Sequence, residues 1–306
     1  MKYIKPFGNE TEISQVALGC MRIADKSDKE MDFYLNNAVE LGINYFDHAD
    51  IYGRGKCEEV FGKALKRNPA LRDKIHIQTK CSIVPGKMYD FSKEHIISAV
   101  EGSLKRLGVD GVDTLLLHRP DLLMEPDEVA EAFDELERSG KVKYFGVSNH
   151  SPMQIELLKT AVKQPLLFNQ MQLSITNANM LSSGANVNLA NSDGVNYDGY
   201  LRDYCRLNGI TVQPWSPLQF GFIEGSFLTN RKYKELHKVI DDIAEKYGIT
   251  DTGVAIAWLL RLPEGMQPVV GSTNPDRICA VAAASDIILS REDWYEIYRA
   301  AGYKLP

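Results

Sequence analysis

The sequence has no run of about 18 apolar residues, the length a membrane-spanning helix needs. Its opening residues, MKYIKPFGNETEIS, lack the apolar core of a secretory signal, so a cytoplasmic protein with no membrane partner is expected. Cysteine is scarce. Cys20, Cys57, Cys81, Cys205 and Cys279 are odd in number and none stands in CxxC spacing, which argues against a zinc knuckle and a disulfide framework. Reduced thiols are the simpler reading. An excess of positive charge is missing too. Lys and Arg total 35 against 41 Asp and Glu, a net charge of −6, which speaks against a general nucleic-acid surface. It leaves room for local binding of a phosphorylated cofactor. None of the six histidines forms an HxH pair, so no metal centre is expected. Asp47, His48 and Asp50 are close in sequence, but strand alternation points His48 away from Asp47.

What is present is alternation. Short apolar runs at 13–19, 43–49, 74–80, 113–119, 143–149, 166–172, 210–216 and 267–272 read as strands. Helical patterns separate them. Ile96, Val100, Leu104 and Leu107 recur at three- and four-residue spacing, as do Val129, Ala132, Phe133 and Leu136. Segment 231–247 and the stretch from Thr250 to Leu262 continue the habit. Strand–helix alternation implies parallel strands, because a crossover helix lets the next strand run the same way. Eight such strands predict an α/β fold, a closed (β/α)8 TIM barrel. The rival, an open doubly wound sheet, needs a glycine-rich loop after its first strand. Gly19-Cys20-Met21-Arg22 is not one, and Gly53-Arg54-Gly55-Lys56-Cys57-Glu58 lacks the last glycine.

Two pieces lie outside the repeats. Residues 1–12, with Gly8-Asn9 as turn chemistry, predict an N-terminal β-hairpin capping the barrel floor. Residues 290–301 predict an extra C-terminal helix, opened by Ser290 with Asp293 three residues on. Segment 174–199, rich in Asn, Ser and Gly, reads as a long loop over the barrel mouth. No linker is visible, so residues 1–306 are expected to form a single domain.

In such barrels chemistry sits where strands end. The strand ends here supply Asp47, Lys80, His118, Ser148-Asn149, Gln170, Trp215-Ser216 and Gly271-Ser272. Polar groups at equivalent ends of apolar strands suit a shared mouth better than a core, where each would need a partner.

These segments resemble the aldo-keto reductase family, in order and nearly end to end. The likeness is carried by Asn44-Tyr45-Phe46-Asp47-His48-Ala49-Asp50-Ile51-Tyr52-Gly53, Gln78-Thr79-Lys80 and Asp113-Thr114-Leu115-Leu116-Leu117-His118. It continues in residues 140–149 (GKVKYFGVSN), 213–218 (QPWSPL) and 271–277 (GSTNPDR). The resemblance implies a barrel that binds NADP(H) without a Rossmann domain and reduces aldehydes or ketones to alcohols. It also implies a catalytic tetrad of Tyr52, Lys80, Asp47 and His118. Hydride attack leaves negative charge on the carbonyl oxygen, and a proton must follow. A tyrosine, with a pKa of about 10, becomes a better donor beside the Lys80 ammonium, which Asp47 holds in place. His118 would orient the carbonyl and share the developing charge.

By the same resemblance Ser148, Asn149 and Gln170 would hold the nicotinamide carboxamide and Trp215 would stack on the ring. Ser216, Pro217, Leu218, Gln219 and Gly221 would line the pyrophosphate. Asn274 reads as an N-cap with Pro275 following, so that Gly271, Ser272, Thr273 and Asn274 form an anion site. Arg277 would pair with a 2′-phosphate, favouring NADP(H) over NAD(H), though NAD(H) is not excluded. Cys279, Ala280 and Val281 replace the Glu and Asn with which many members hold adenine, so that clamp is weakened or rebuilt.

The substrate is expected to be a small carbonyl compound. Pocket-wall candidates are Met21, Arg22, Tyr89, Arg119 and the 174–199 loop. Arg119 either attracts an anionic substrate or pairs with Asp121. Few residues follow the final helix, so an open pocket is expected. Family members of this size are often monomers. The alternative reading is a regulatory or redox-sensing barrel that binds cofactor with little turnover, against which the intact tetrad argues.

Overall fold

The computed structural model describes residues 1–8 and 11–305. Strand β1 (Tyr3–Ile4) pairs antiparallel with β2 (Ile13–Ser14), giving the N-terminal hairpin. Of its expected turn, Asn9 lies outside the described residues. The run at 13–19 does not form one strand. Its first two residues serve the hairpin, and only β3 (Ala17–Gly19) enters the barrel.

The barrel continues through β4 (Tyr45–Asp47) and β5 (His76–Cys81). A two-stranded antiparallel ribbon follows, β6 (Ile83–Val84) with β7 (Met88–Tyr89), which periodicity did not reveal because each strand is two residues long. The remaining barrel strands are β8 (Val112–Leu117), β9 (Val142–Ser148), β10 (Leu166–Gln172), β11 (Thr211–Trp215) and β12 (Val269–Val270). Ring order is β3, β4, β5, β8, β9, β10, β11, β12, closed by parallel pairing of Val269 with Ala17 and Val270 with Leu18. This is the expected (β/α)8 barrel.

The helices are α1 (Asp28–Glu40), α2 (Lys56–Arg67), α3 (Lys93–Leu107), α4 (Pro126–Arg138), α5 (Pro152–Leu158), α6 (Asn179–Ala185) and α7 (Leu201–Leu207). The chain then adds α8 (Lys234–Tyr247), α9 (Asp251–Leu260), α10 (Pro275–Ala284) and α11 (Arg291–Ala300). Their apolar stripes face the strands. Ile96, Val100, Leu104 and Leu107 of α3 are buried, as are Val129, Ala132, Phe133 and Leu136 of α4. Starts are capped locally, with Ser92, Thr250, Asn274 and Ser290 each accepting from the amide three residues on. The extra C-terminal helix is α11.

Inside the barrel, the floor is filled by Ala17, Tyr45, Leu116, Phe168 and Val269, with Ile13 of the hairpin and Phe7 beneath. Phe7 stacks on Tyr144 at 3.8 Å, so the hairpin plugs the floor as expected. Gly146 makes that filling possible: a Cβ there would lie 2.7 Å from both the Leu116 side chain and the Phe168 carbonyl.

Segment 174–199 differs from the expectation. It contains α6 and a short 3-10 turn, and no residue of it lines the barrel-mouth cavity. Polar groups of a packed segment need partners, and here the tail supplies three, one to a main-chain amide and two to side chains. Ala178 N donates to Tyr303 Oη at 2.6 Å, Asn186 Nδ2 to the Lys304 carbonyl, and Lys304 N to Asp193.

Candidate active site

Closure of the barrel brings the strand ends to one cavity of about 800 Å3. Asp47, Tyr52, His118, Ser148, Asn149, Gln170 and Trp215 line it, as do Ser216 to Gln219, Gly271 to Asn274 and Arg277. The expected substrate residues Met21, Arg22, Tyr89 and Arg119 line it as well. Two expected residues do not. Lys80 is wholly buried beneath the surface of the cavity. Gly221 turns its carbonyl to Gln172 Nε2, and its positive φ of 55° serves a turn in which a Cβ would strike Glu224.

At the base, Lys80 Nζ lies 2.5 Å from Asp47 Oδ1 and 2.7 Å from the His48 carbonyl. The same Asp47 oxygen accepts from Gln78 Nε2 at 2.6 Å and Gln170 Nε2 at 3.0 Å. Tyr52 follows β4 on a short 3-10 turn, and its ring centroid is 5.0 Å from Lys80 Nζ. Burial alone would discharge Lys80, but Asp47 and Tyr52 outweigh it and hold the ammonium above the ordinary lysine value. Burial also raises the Tyr52 phenol, and the downward pull of Lys80 only partly offsets it. The expected lowering by lysine is therefore present but is not the larger effect in the protein alone. His118 stacks edge-on to Tyr52 at 6.0 Å. Burial, with Lys80 and Arg119 adding, pushes its pKa well below the ordinary histidine value, so the ring is neutral.

Below this cluster runs a chain of side-chain amides. Gln170 also donates to Gln213 Oε1, Gln213 Nε2 reaches Gln267 Oε1 at 2.8 Å, and Gln267 reaches the Ser14 carbonyl. Gln78, Gln213 and Gln267 were not singled out from sequence. The signal for the first two was the period of two, since Gln78 precedes Lys80, and Gln213 precedes Trp215, by two residues on one strand face.

Ser148 Oγ donates to the Gln170 carbonyl, and Asn149 Nδ2 donates to Ser148 Oγ at 2.7 Å. Asn149 Oδ1 accepts from Trp215 Nε1 at 3.1 Å. Asn149 and Ser216, each just past a strand, take left-handed backbone (φ 61° and 52°), a costly conformation for non-glycine residues that surrounding contacts must hold. The walls include Phe222 and Ile223, which sequence reasoning missed because they lie in an irregular loop after β11 with no periodicity.

The far end suits a phosphorylated ligand. Asn274 caps α10 through Arg277 N, with Pro275 next. Arg277 is exposed and has no ion pair among the described residues. Gln219 Oε1 is buried without a hydrogen-bond partner among the described residues, an acceptor suited to an N–H or O–H of a ligand. Among the described residues no group of three or more His, Cys, Asp or Glu is arranged to hold a metal ion. His48 instead packs its ring edge against Phe61.

Comparison with known proteins gives the same direction. The sequence profile of the Aldo/keto reductase family matches residues 15–301. The chain is 36% identical to the uncharacterized oxidoreductase YcsN of Bacillus subtilis, with 97% of each covered. It is 35% identical to a 6-dehydroglucose reductase of Agrobacterium fabrum, with 96% of each covered. Its fold is similar to that of an aldo/keto reductase from Klebsiella pneumoniae solved in complex with NADP and acetate. That match has a TM-score of 0.78 and 24% identity, over 97% of this chain and 94% of that one.

Proposed function

The chain belongs to the aldo/keto reductase family of oxidoreductases, and from that membership we propose that residues 1–306 act as one unit, an NADP(H)-dependent reductase of aldehydes or ketones. The observation that carries the proposal is the Tyr52, Lys80, Asp47 and His118 cluster at the base of a cavity whose far end holds the capped start of α10 and the exposed Arg277. The reduced nicotinamide, when bound, supplies a hydride to the carbonyl carbon.

The protein's own residues do the rest. Tyr52, neutral at physiological pH, gives its phenolic proton to the oxygen that gains charge. Lys80 then stands beside the phenolate left behind and stabilises it, so the charge moves toward an ammonium already in place. Asp47 fixes that ammonium. His118, neutral, offers an N–H to the same oxygen without adding a second positive charge. Ser148, Asn149, Gln170 and Trp215 would border the nicotinamide ring of the bound cofactor. Ser216 to Gln219, Gly271 to Asn274 and Arg277 would hold the phosphates of the bound cofactor. The NADP-bound relative supports the choice of cofactor, and Arg277 supports the 2′-phosphate.

Substitution Tyr52→Phe tests the reading. NADPH oxidation with a reactive aldehyde should fall about 10²- to 10⁴-fold, the usual contribution of a positioned acid. NADPH binding, followed by quenching of tryptophan fluorescence, should survive. Unchanged turnover in Tyr52→Phe removes the tyrosine from the chemistry.

A further inference from the structure

Arg119 stands in the cavity wall shared with Tyr52 and His118. Its side chain is half-buried between two aromatic rings, with the guanidinium carbon 5.8 Å from the centroid of Trp215 and 5.9 Å from that of Phe222. Its main chain is tied down, N to Ser82 Oγ at 3.2 Å and carbonyl from the same hydroxyl. The guanidinium itself has no ion pair and no hydrogen bond among the described residues. The obvious local partner is engaged elsewhere: Asp121 accepts from Phe91 N through Oδ2 and from Leu123 N through Oδ1, both at 2.9 Å. Among the described residues the one carboxylate lining the cavity, Asp47, is committed to Lys80. A fork of N–H donors thus lies in an aromatic-walled site, half-buried and without a protein acceptor among the described residues, free to donate to a ligand.

We propose that Arg119 is an anion clamp in the substrate pocket, and that the preferred substrates are aldehydes or ketones carrying a carboxylate. The planar fork fits a carboxylate through two parallel hydrogen bonds. Trp215 and Phe222, packed against the guanidinium, restrict it, and Phe222 also offers an apolar face to an aromatic or hydrocarbon body between the two polar ends. The proposal uses the carbonyl-reductase reading for turnover, whereas binding of the anion is independent of it.

The test compares 3- and 4-formylbenzoate with their methyl esters, and benzoate with benzamide. In the wild type at least one acid should exceed its ester in kcat/KM by about ten- to a hundredfold, carried mainly by KM, as for a charge-assisted pair. In Arg119→Met the loss for that acid should exceed the loss for its ester by at least tenfold. Arg119→Lys should recover part of the difference, since it keeps charge without the fork. Calorimetry should show benzoate, not benzamide, binding the wild type and weakening at least tenfold in Arg119→Met. Equal treatment of acids and esters by the wild type overturns the proposal. So does weaker NADPH binding in Arg119→Met with an unchanged acid-to-ester ratio, which would make Arg119 a cofactor residue. Benzoate binding that depends on Arg119, with no carbonyl reduced, would leave the clamp standing and remove the reductase reading instead.

Discussion

Gln170, on β10, donates to the Asp47 oxygen that also receives the Lys80 ammonium, although 123 residues separate it from Asp47. The single carboxylate oxygen therefore collects three donors, Lys80, Gln78 and Gln170, from strands on different sides of the barrel. A buried anion accepting several hydrogen bonds is held in one orientation, and its cation with it.

Gln170→Leu removes one donor from Asp47 and another from Gln213. We expect a loss of about 1–3 kcal/mol of stability, the usual cost of leaving a buried polar partner unmet. Urea unfolding of wild type and variant measures it, and a change below about 0.5 kcal/mol would show that the contact contributes nothing.

Lys80 and Asp47 are both buried, so removing one leaves the other uncompensated. Lys80→Met should destabilise by about 3–5 kcal/mol, and the double variant Lys80→Met with Asp47→Leu by less than the sum of the single changes. A double-mutant cycle in urea reads the coupling. Additive losses would mean that the pair does not act as one.

The pH profile should be broad. His118 is held neutral by burial, and Tyr52 is held protonated beyond the ordinary tyrosine value. The kcat/KM of the free enzyme should therefore show no histidine limb between about pH 6 and 7, nor a tyrosine limb below about 10. A rate profile with an acid limb near 6.5 that disappears in His118→Gln would contradict this.

Asp50 gives a stability signature. Burial, then repulsion from Glu58, raises its carboxyl to about 7, with Arg106 and Lys80 pulling the other way. The folded state thus keeps a proton that the unfolded chain releases near pH 4. From about pH 4 to 7 this group costs stability progressively as pH rises. Asp50→Asn should gain on wild type between pH 5 and 8, by less than about 4 kcal/mol because the side chain keeps some solvent. Matched urea titrations at both pH values decide it, a constant difference counting against the assignment.

Much of this was legible from residues alone, for a local reason. Helix and strand periods are written in neighbouring residues, so Ile96 to Leu107 and the strand ending at His118 could be placed without coordinates. Polar residues closing apolar strands marked Asp47, Lys80, His118 and Gln170 as converging on one mouth. The short ribbon at 83–89 and the split of run 13–19 escaped, because two-residue strands carry no period. Segment 174–199 reads as open loop by composition, yet the contacts of Tyr303 and Lys304 hold it beside the barrel, and Phe222 and Ile223 take the wall instead.

Sequence by itself determined the barrel and the residue types at its rim, since alternation and strand-end chemistry are properties of nearby positions. Tertiary structure alone decided who touches whom there: that Asp121 serves main-chain amides and leaves Arg119 without a carboxylate, and that Gln170 and Gln78 meet on Asp47. Those choices depend on ring closure, which sets side chains from distant strands within hydrogen-bond reach, and no local pattern encodes that distance.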